Sequence, residues 1–189
     1  MLFLASQSPR RRALLAQIGL DPSPLDVDVP EQRQPGEPAL DYVSRVAREK
    51  AGAGLLQVAA VPGALVLGAD TEVILGDEVF GKPADAADAG RMLRRLSGRS
   101  HRVATVVWLL SAGGEHSACC VSEVRFSQIG EAELAAYLES GEWQGKAGAY
   151  AIQGRAATFI EYLSGSYSGV MGLPLHETAR LLRQAGLLP

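Results

Sequence analysis

Leu2-Phe3-Leu4-Ala5-Ser6-Gln7-Ser8-Pro9-Arg10-Arg11-Arg12 runs from a short apolar segment through two serines into a helix start that carries three arginines. The order decides the class, because a buried strand that passes through a tight polar connection straight into a helix is the first step of an α/β fold. Ser8 suits the N-cap and Pro9 the first turn. A helix start bears partial positive charge and unpaired backbone N–H groups, so it welcomes an anion and not arginine. Arg10 and Arg11 therefore read as a phosphate cradle, placed beyond the carboxyl end of a strand where phosphorylated ligands dock. A solvated basic helix start is the plainer alternative.

The chain has 189 residues, 47% of them hydrophobic, and a net charge of −3. That length suits one domain over 1–189, or two lobes sharing a sheet. The slight acidity offers no general attraction to nucleic acid polymers or anionic membranes, so polyanion binding must come from a local cluster. A small phosphorylated ligand fits better. The two cysteines, Cys119 and Cys120, are adjacent in a strand-like run and point to opposite faces, which disfavours a disulfide between them. No stretch reads as a signal peptide or a membrane span, and we expect a soluble, cytoplasmic protein.

Helical spacing predicts helices over Arg10–Ile18, ended by Gly19, and over Ala39–Ala51, with Leu40, Val43, Ala47 and Ala51 on one face. Between them, Asp21–Pro38 reads as a loop reaching over a site or an edge, with Glu31 facing the cradle. Ala64-Leu65-Val66-Leu67 is a strand covered on both faces, expected to stop at Gly68-Ala69-Asp70-Thr71. A hairpin follows, turning at Gly76-Asp77 and pairing Leu75 with Glu78, Val73 with Phe80 and Thr71 with Lys82. Further helices are expected at Ala86–Leu96, Glu131–Glu139 and Leu175–Gln184, with Arg91, Arg94 and Arg95 outward on the first of them. His101–Leu110 and Ser117–Phe126 read as antiparallel neighbours joined across Gly113-Gly114. Lys146–Gly154 joins a small-residue loop to a short strand, and Thr158–Leu163 continues the sheet.

Asp70 is the first candidate for chemistry. It ends a buried strand, is followed by the hydroxyl of Thr71, and has an ammonium within reach at Lys82 through the hairpin, so it could hold a metal or activate water. A turn aspartate capping local backbone is the alternative. Strand alternation puts Thr71 and Lys82 on one face and Asp70 on the other, which requires a twist or bulge near Gly81 and Pro83. Lys82, fixed between Gly81 and Pro83, suits a triphosphate oxygen. Glu31 and Lys50 have weaker claims, each sitting among other charges. Gln153, in an apolar small-residue setting, needs a partner for its amide. An amide can pair with the N3–H donor and O4 acceptor of uracil or thymine, and a carboxylate lacks the donor. His101, His116 and His176 have no metal-ligand spacing, and no residue sets up covalent catalysis.

Taken together, Ser6-x-Ser8-Pro9-Arg10-Arg11, Gly68-Ala69-Asp70-Thr71, Gly81-Lys82-Pro83, Leu96-Ser97-Gly98, Lys146-Ala147-Gly148-Ala149-Tyr150 with Ile152-Gln153-Gly154, and Val170-Met171-Gly172-Leu173-Pro174 closely resemble the Maf family of nucleoside triphosphate pyrophosphatases, almost end to end. The resemblance implies a fold like inosine triphosphate pyrophosphatase, α/β with a long twisted mixed sheet flanked by helices and two lobes with a cleft, usually in a homodimer. It implies hydrolysis of a nucleoside triphosphate to the monophosphate and pyrophosphate, with a divalent cation such as Mg or Mn. Asp70 then matches the general base or metal-organising carboxylate, with Glu31 an acidic partner at the metal. Arg10, Arg11, Lys50 and Lys82 match phosphate-contacting cations, with Ser6 and Ser8 nearby. Thr71 and Gln153 follow the branch that prefers dTTP and UTP, whereas a branch acting on 7-methyl-GTP has glutamine and glutamate at these places; CTP stays open. Gly145 departs from the pattern, since many relatives carry an acidic residue there. Other purine triphosphates, or a non-catalytic nucleotide-binding regulator of cell division, are the rival readings.

Overall fold

The computed structural model describes residues 1–189. Seven strands and six helices alternate: β1 (Leu2–Leu4), α1 (Pro9–Gln17), β2 (Ser23–Pro24), α2 (Ala39–Gln57), β3 (Leu65–Leu75), β4 (Glu78–Phe80), α3 (Ala86–Leu96), β5 (Ser100–Ser111), β6 (Gly114–Phe126), α4 (Glu131–Glu139), β7 (Ile160–Ser164), α5 (Tyr167–Met171) and α6 (Leu175–Gln184). The strands hydrogen-bond in the order β2-β1-β3-β5-β6-β7, with β4 on β3. β1 is parallel to both β2 and β3, whereas β4 and β7 pair antiparallel with β3 and β6. This is the mixed α/β sheet flanked by helices that the sequence predicts.

The backbone separates into two compact units, one of residues 1–70, 105–120 and 172–189, the other of residues 71–104 and 121–171. In the first, Phe3, Ala5 and Val66 pack with Val58 and Ala64 into an apolar cluster that also takes Leu25 and Val27 from the chain after β2. α2 buries Val43, Val46, Ala47 and Ala51 at helical spacing. It runs six residues past the predicted end, and Leu40, expected inward, is 38% exposed. Tyr42 takes the core position instead.

β3 does not stop at Gly68. It continues as one strand to Leu75, with Gly68 inside it at a point where a Cβ would lie 2.5 Å from the Ala47 carbonyl oxygen and 2.6 Å from the Ala51 nitrogen. Glycine is a weak strand former, but here it is what lets α2 lie against the strand.

In the second unit, Val73, Phe80, Leu93, Phe126 and Tyr150 belong to one core, and the hairpin register is as predicted at Leu75–Glu78 and Val73–Phe80. The ladder ends there, so the expected pairing of Thr71 with Lys82 is not made. β4 ends at Phe80 because Gly81 and Pro83 follow, and proline has no N–H to extend the ladder. The short strand expected near Ile152 is also absent. Residues 147–149 form a 3₁₀ turn, Gly154 N–H closes a turn on the Ala151 carbonyl at 3.0 Å, and a second 3₁₀ turn covers 155–159 before β7. Gly145, the departure from the pattern, has a φ of +64°, in the left-handed region that favours glycine. Cys119 is exposed and Cys120 half-buried, and neither forms a disulfide.

His101 is buried beside Phe126 and Tyr150, with its Nε2 2.9 Å from the Tyr150 hydroxyl. Burial lowers its pKa from 6.5 to about 4, so the ring is neutral in the fold. Between these values the unfolded chain binds a proton that the folded chain does not. Stability from this group is therefore intact above pH 6.5 and is lost as the pH falls toward 4, by on the order of 3 kcal/mol. Urea midpoints at pH 7 and pH 4.5 should show this loss, and His101→Asn should flatten it.

Candidate functional site

The first unit gathers charges from four places in the chain. β1 and β3 are parallel neighbours, so the connection after β1 and the end of the buried stretch of β3 meet at the same end of the sheet. The first supplies Ser6, Ser8, Arg10 and Arg11; the second supplies Asp70, which is 5% exposed. α2 brings Lys50, also buried, onto Asp70, with Nζ donating to Oδ1 at 2.7 Å. The same ammonium lies 2.6 Å from Oε1 of Glu31, on the loop before α2. Lys50 thus ties two carboxylates that are far apart in sequence. The ammonium on Asp70 is that of Lys50.

Asp70 Oδ2 is buried and has no hydrogen-bond partner. An unsatisfied buried carboxylate oxygen is costly and marks a place where a ligand, a water or an ion belongs.

Ser8 is the N-cap of α1, but its side chain makes no capping bond, and Pro9 opens the helix as expected. Ser6 has a specific job. Its Oγ accepts from the Ser8 backbone N–H at 3.2 Å and from Arg11 Nη1 at 3.2 Å. Arg11 Nε donates to the Gly172 carbonyl at 2.8 Å. The guanidinium is thereby aimed by one hydroxyl and one carbonyl. Burial lowers the pKa of Arg11, the carboxylates of Asp70 and Glu31 raise it, and Arg10 lowers it. Arg10 is lowered by burial too. The pattern describes cations drawn away from water, beside acidic groups and beside each other. Arg12, by contrast, is exposed and pairs with Asp21 at the surface.

Three predicted residues lie in the second unit. Thr71 follows Asp70 on β3, and Lys82 is exposed just beyond β4. Gly81 accepts from the Gly148 N–H at 3.1 Å, which fixes the 147–149 turn beside the Lys82 backbone. Gln153 is exposed on a turn. The expected apolar strand setting is corrected: Ala151 and Ile152 before it are buried, but Gln153 itself is exposed. The Gly172 carbonyl is a site element that the residue reading missed. The Val170–Pro174 motif was visible, but no side chain signals that a backbone oxygen holds an arginine.

No group of three or more His, Cys, Asp or Glu side chains is placed to hold a metal ion. Asp70 with its spare oxygen and Glu31 are nevertheless hard oxygen donors. Mg²⁺-type ions are bound by one or two carboxylates together with substrate phosphates, so this pair fits such an ion in the presence of a phosphorylated ligand.

A strand-to-helix start that supplies arginines beside a buried carboxylate with a free oxygen defines a protein that handles small phosphorylated molecules. The chain belongs to the Maf family: the family model, described as Maf-like protein, matches residues 1–185. It is 57% identical over 188 residues to the dTTP/UTP pyrophosphatase of Xanthomonas euvesicatoria pv. vesicatoria, covering 98% of this chain and 99% of that one. It is 53% identical to the dTTP/UTP pyrophosphatase of Cupriavidus pinatubonensis, covering 98% and 97%. It is 52% identical to a nucleoside triphosphate pyrophosphatase of Xylella fastidiosa strain M23, covering 96% and 97%.

Proposed function

We propose that this protein hydrolyses nucleoside triphosphates, dTTP and UTP foremost, at the bond between the α and β phosphates, releasing the monophosphate and pyrophosphate. The observation that carries the reading is Asp70, buried, held through one oxygen by Lys50 and with its other oxygen unpaired. The names of relatives at 53% to 57% identity over nearly the full chain support the substrate.

In this mechanism Oδ2 of Asp70 orients an attacking water and takes its proton. Lys50 fixes the rotation of that carboxylate, so the free oxygen does not have to be organised at the moment of reaction. Arg10 and Arg11 neutralise the phosphate chain, and Ser6 with the Gly172 carbonyl keeps Arg11 in place. Lys82 contributes a further cation to the triphosphate. Asp70 and Glu31 would hold a divalent cation of the Mg²⁺ or Mn²⁺ type, which would supply charge neutralisation at the phosphates. We place the enzyme in the cytoplasm, where nucleoside triphosphates are held, and as a homodimer, which sedimentation velocity tests.

Thr71 and Gln153 set base preference in this reading. The Gln153 amide offers a donor and an acceptor to the mixed edge of uracil or thymine. In a panel of nucleotides with pyrophosphate detection, dTTP and UTP should turn over fastest. Gln153→Glu should lower kcat/KM for UTP by about tenfold, the worth of one hydrogen bond left unmade, and improve the relative rate on guanine nucleotides. A variant that leaves the UTP rate unchanged removes Gln153 from recognition. No pyrophosphate from any nucleotide would favour the non-catalytic binding protein.

A further inference from the structure

Glu31 lies on a segment without helix or strand, between β2 and α2. On its N-terminal side the segment is anchored by Leu25, whose N–H donates to the Leu4 carbonyl, and by the Asp26 carbonyl, which accepts from Gln57 Nε2 at 2.6 Å. On its C-terminal side one side chain makes the anchor. Arg45 of α2 forks onto Glu37, with Nε to Oε1 at 2.7 Å and Nη2 to Oε2 at 3.0 Å, and Nη2 also donates to the Gln32 carbonyl at 2.9 Å. Glu37 accepts in addition from the Gln34 N–H at 3.0 Å, and its own carbonyl accepts from Arg33 Nε at 2.7 Å. The two side chains are half-buried, at 26% and 11% exposed.

From this geometry we propose that Arg45 is a positioning residue for turnover: with Glu37 it folds the 32–37 turn onto α2 and so sets Glu31 against Lys50 and Asp70. The inference rests on the reading of Glu31 as part of the phosphate and metal site. Gln32 is the residue after Glu31, so the bond to its carbonyl restrains the backbone next to Glu31. Arg45 and Lys50 sit on the same helix, so one rigid element grips the segment and receives its carboxylate. Ordering a loose segment costs conformational entropy, and the grip removes that cost in advance of substrate binding. The fork is specific to arginine, since lysine cannot donate to both carboxylate oxygens and the Gln32 carbonyl in one plane.

The test is a double-mutant cycle of Arg45→Ala and Glu31→Gln, read as kcat and KM on UTP, with limited trypsin cleavage after Arg33 as a readout independent of activity. Arg45→Ala should lower kcat/KM by about tenfold in the wild-type background and by less than about twofold in the Glu31→Gln background. Glu37→Gln should reproduce it, Arg45→Lys should recover only part, and cleavage after Arg33 should quicken in each. If Glu31→Gln costs activity but Arg45→Ala is silent, or costs the same factor in both backgrounds, the positioning role is overturned while the site stands. If Glu31→Gln is itself silent, the reading of Glu31 falls and the positioning role falls with it. Should Arg45→Ala fail to fold, Glu37→Gln and Arg45→Lys carry the same comparison.

Discussion

Asp70→Asn should abolish pyrophosphate release from dTTP and UTP, by a factor of ~10³ or more, while leaving a folded protein. The amide keeps the shape of the carboxylate and can still accept from Lys50, but it cannot take a proton from water and it is a poor ligand for a hard cation. The magnitude follows from removing a group that acts only as charge and proton move. Lys50 does not become an isolated buried cation, because Glu31 remains 2.6 Å away. The cost to stability should therefore stay below the 3–5 kcal/mol typical of breaking a buried pair, and about 1–2 kcal/mol is expected. Pyrophosphate-coupled kinetics and a thermal melt check both halves. Turnover within tenfold of wild type would remove Asp70 from the chemistry.

The second large effect is on the fold. Gly68→Ala adds one methyl group, which would meet the Ala47 carbonyl oxygen at 2.5 Å, the Ala51 nitrogen at 2.6 Å and the Ala51 Cβ at 2.7 Å. Two of these are backbone atoms of α2, so relief requires the helix itself to shift. We expect a loss of about 3 kcal/mol or more, a large part of the stability of a domain this size. Lys50 lies between the two struck residues, so activity should fall beyond what the fraction unfolded explains. Gly52→Ala is the matched control in the same helix. Nothing lies within 4 Å of its Cβ, and it should stabilise by about 0.5–1 kcal/mol. Urea denaturation of the pair separates steric contact from helix propensity.

Much of this fold could be read from local pattern. The opening strand, the proline-led α1, the Gly76-Asp77 hairpin and the outward arginines of α3 each follow from spacing and turn chemistry over a few residues. The clustering of arginines at the start of α1 was legible for the same reason, since cations at a helix start are locally inconsistent and demand an explanation. What stayed hidden depends on distant packing. β3 runs through Gly68 and Asp70 against strand propensity, at a point where α2 leaves no room for a side chain on Gly68. Gln153 read as part of an apolar strand because its neighbours are apolar, yet a turn there buries Ala151 and Ile152 and leaves Gln153 exposed. Glu31 and Lys50 looked like ordinary solvated charges, and nothing in a window of sequence shows that they share an ammonium contact with Asp70. Arg45 and Glu37 were invisible as a device because the glutamate precedes the helix, which breaks the usual i, i+4 signal.

Arg11 is held by the carbonyl of Gly172, a bond spanning 161 residues of sequence. Synthesis proceeds from the amino end, so a growing polypeptide carries its arginine-rich start long before the oxygen that aims it leaves the ribosome. The oxygen that aims Arg11 is thus made long after the guanidinium it holds, and the bond can close only once residue 172 has joined the chain.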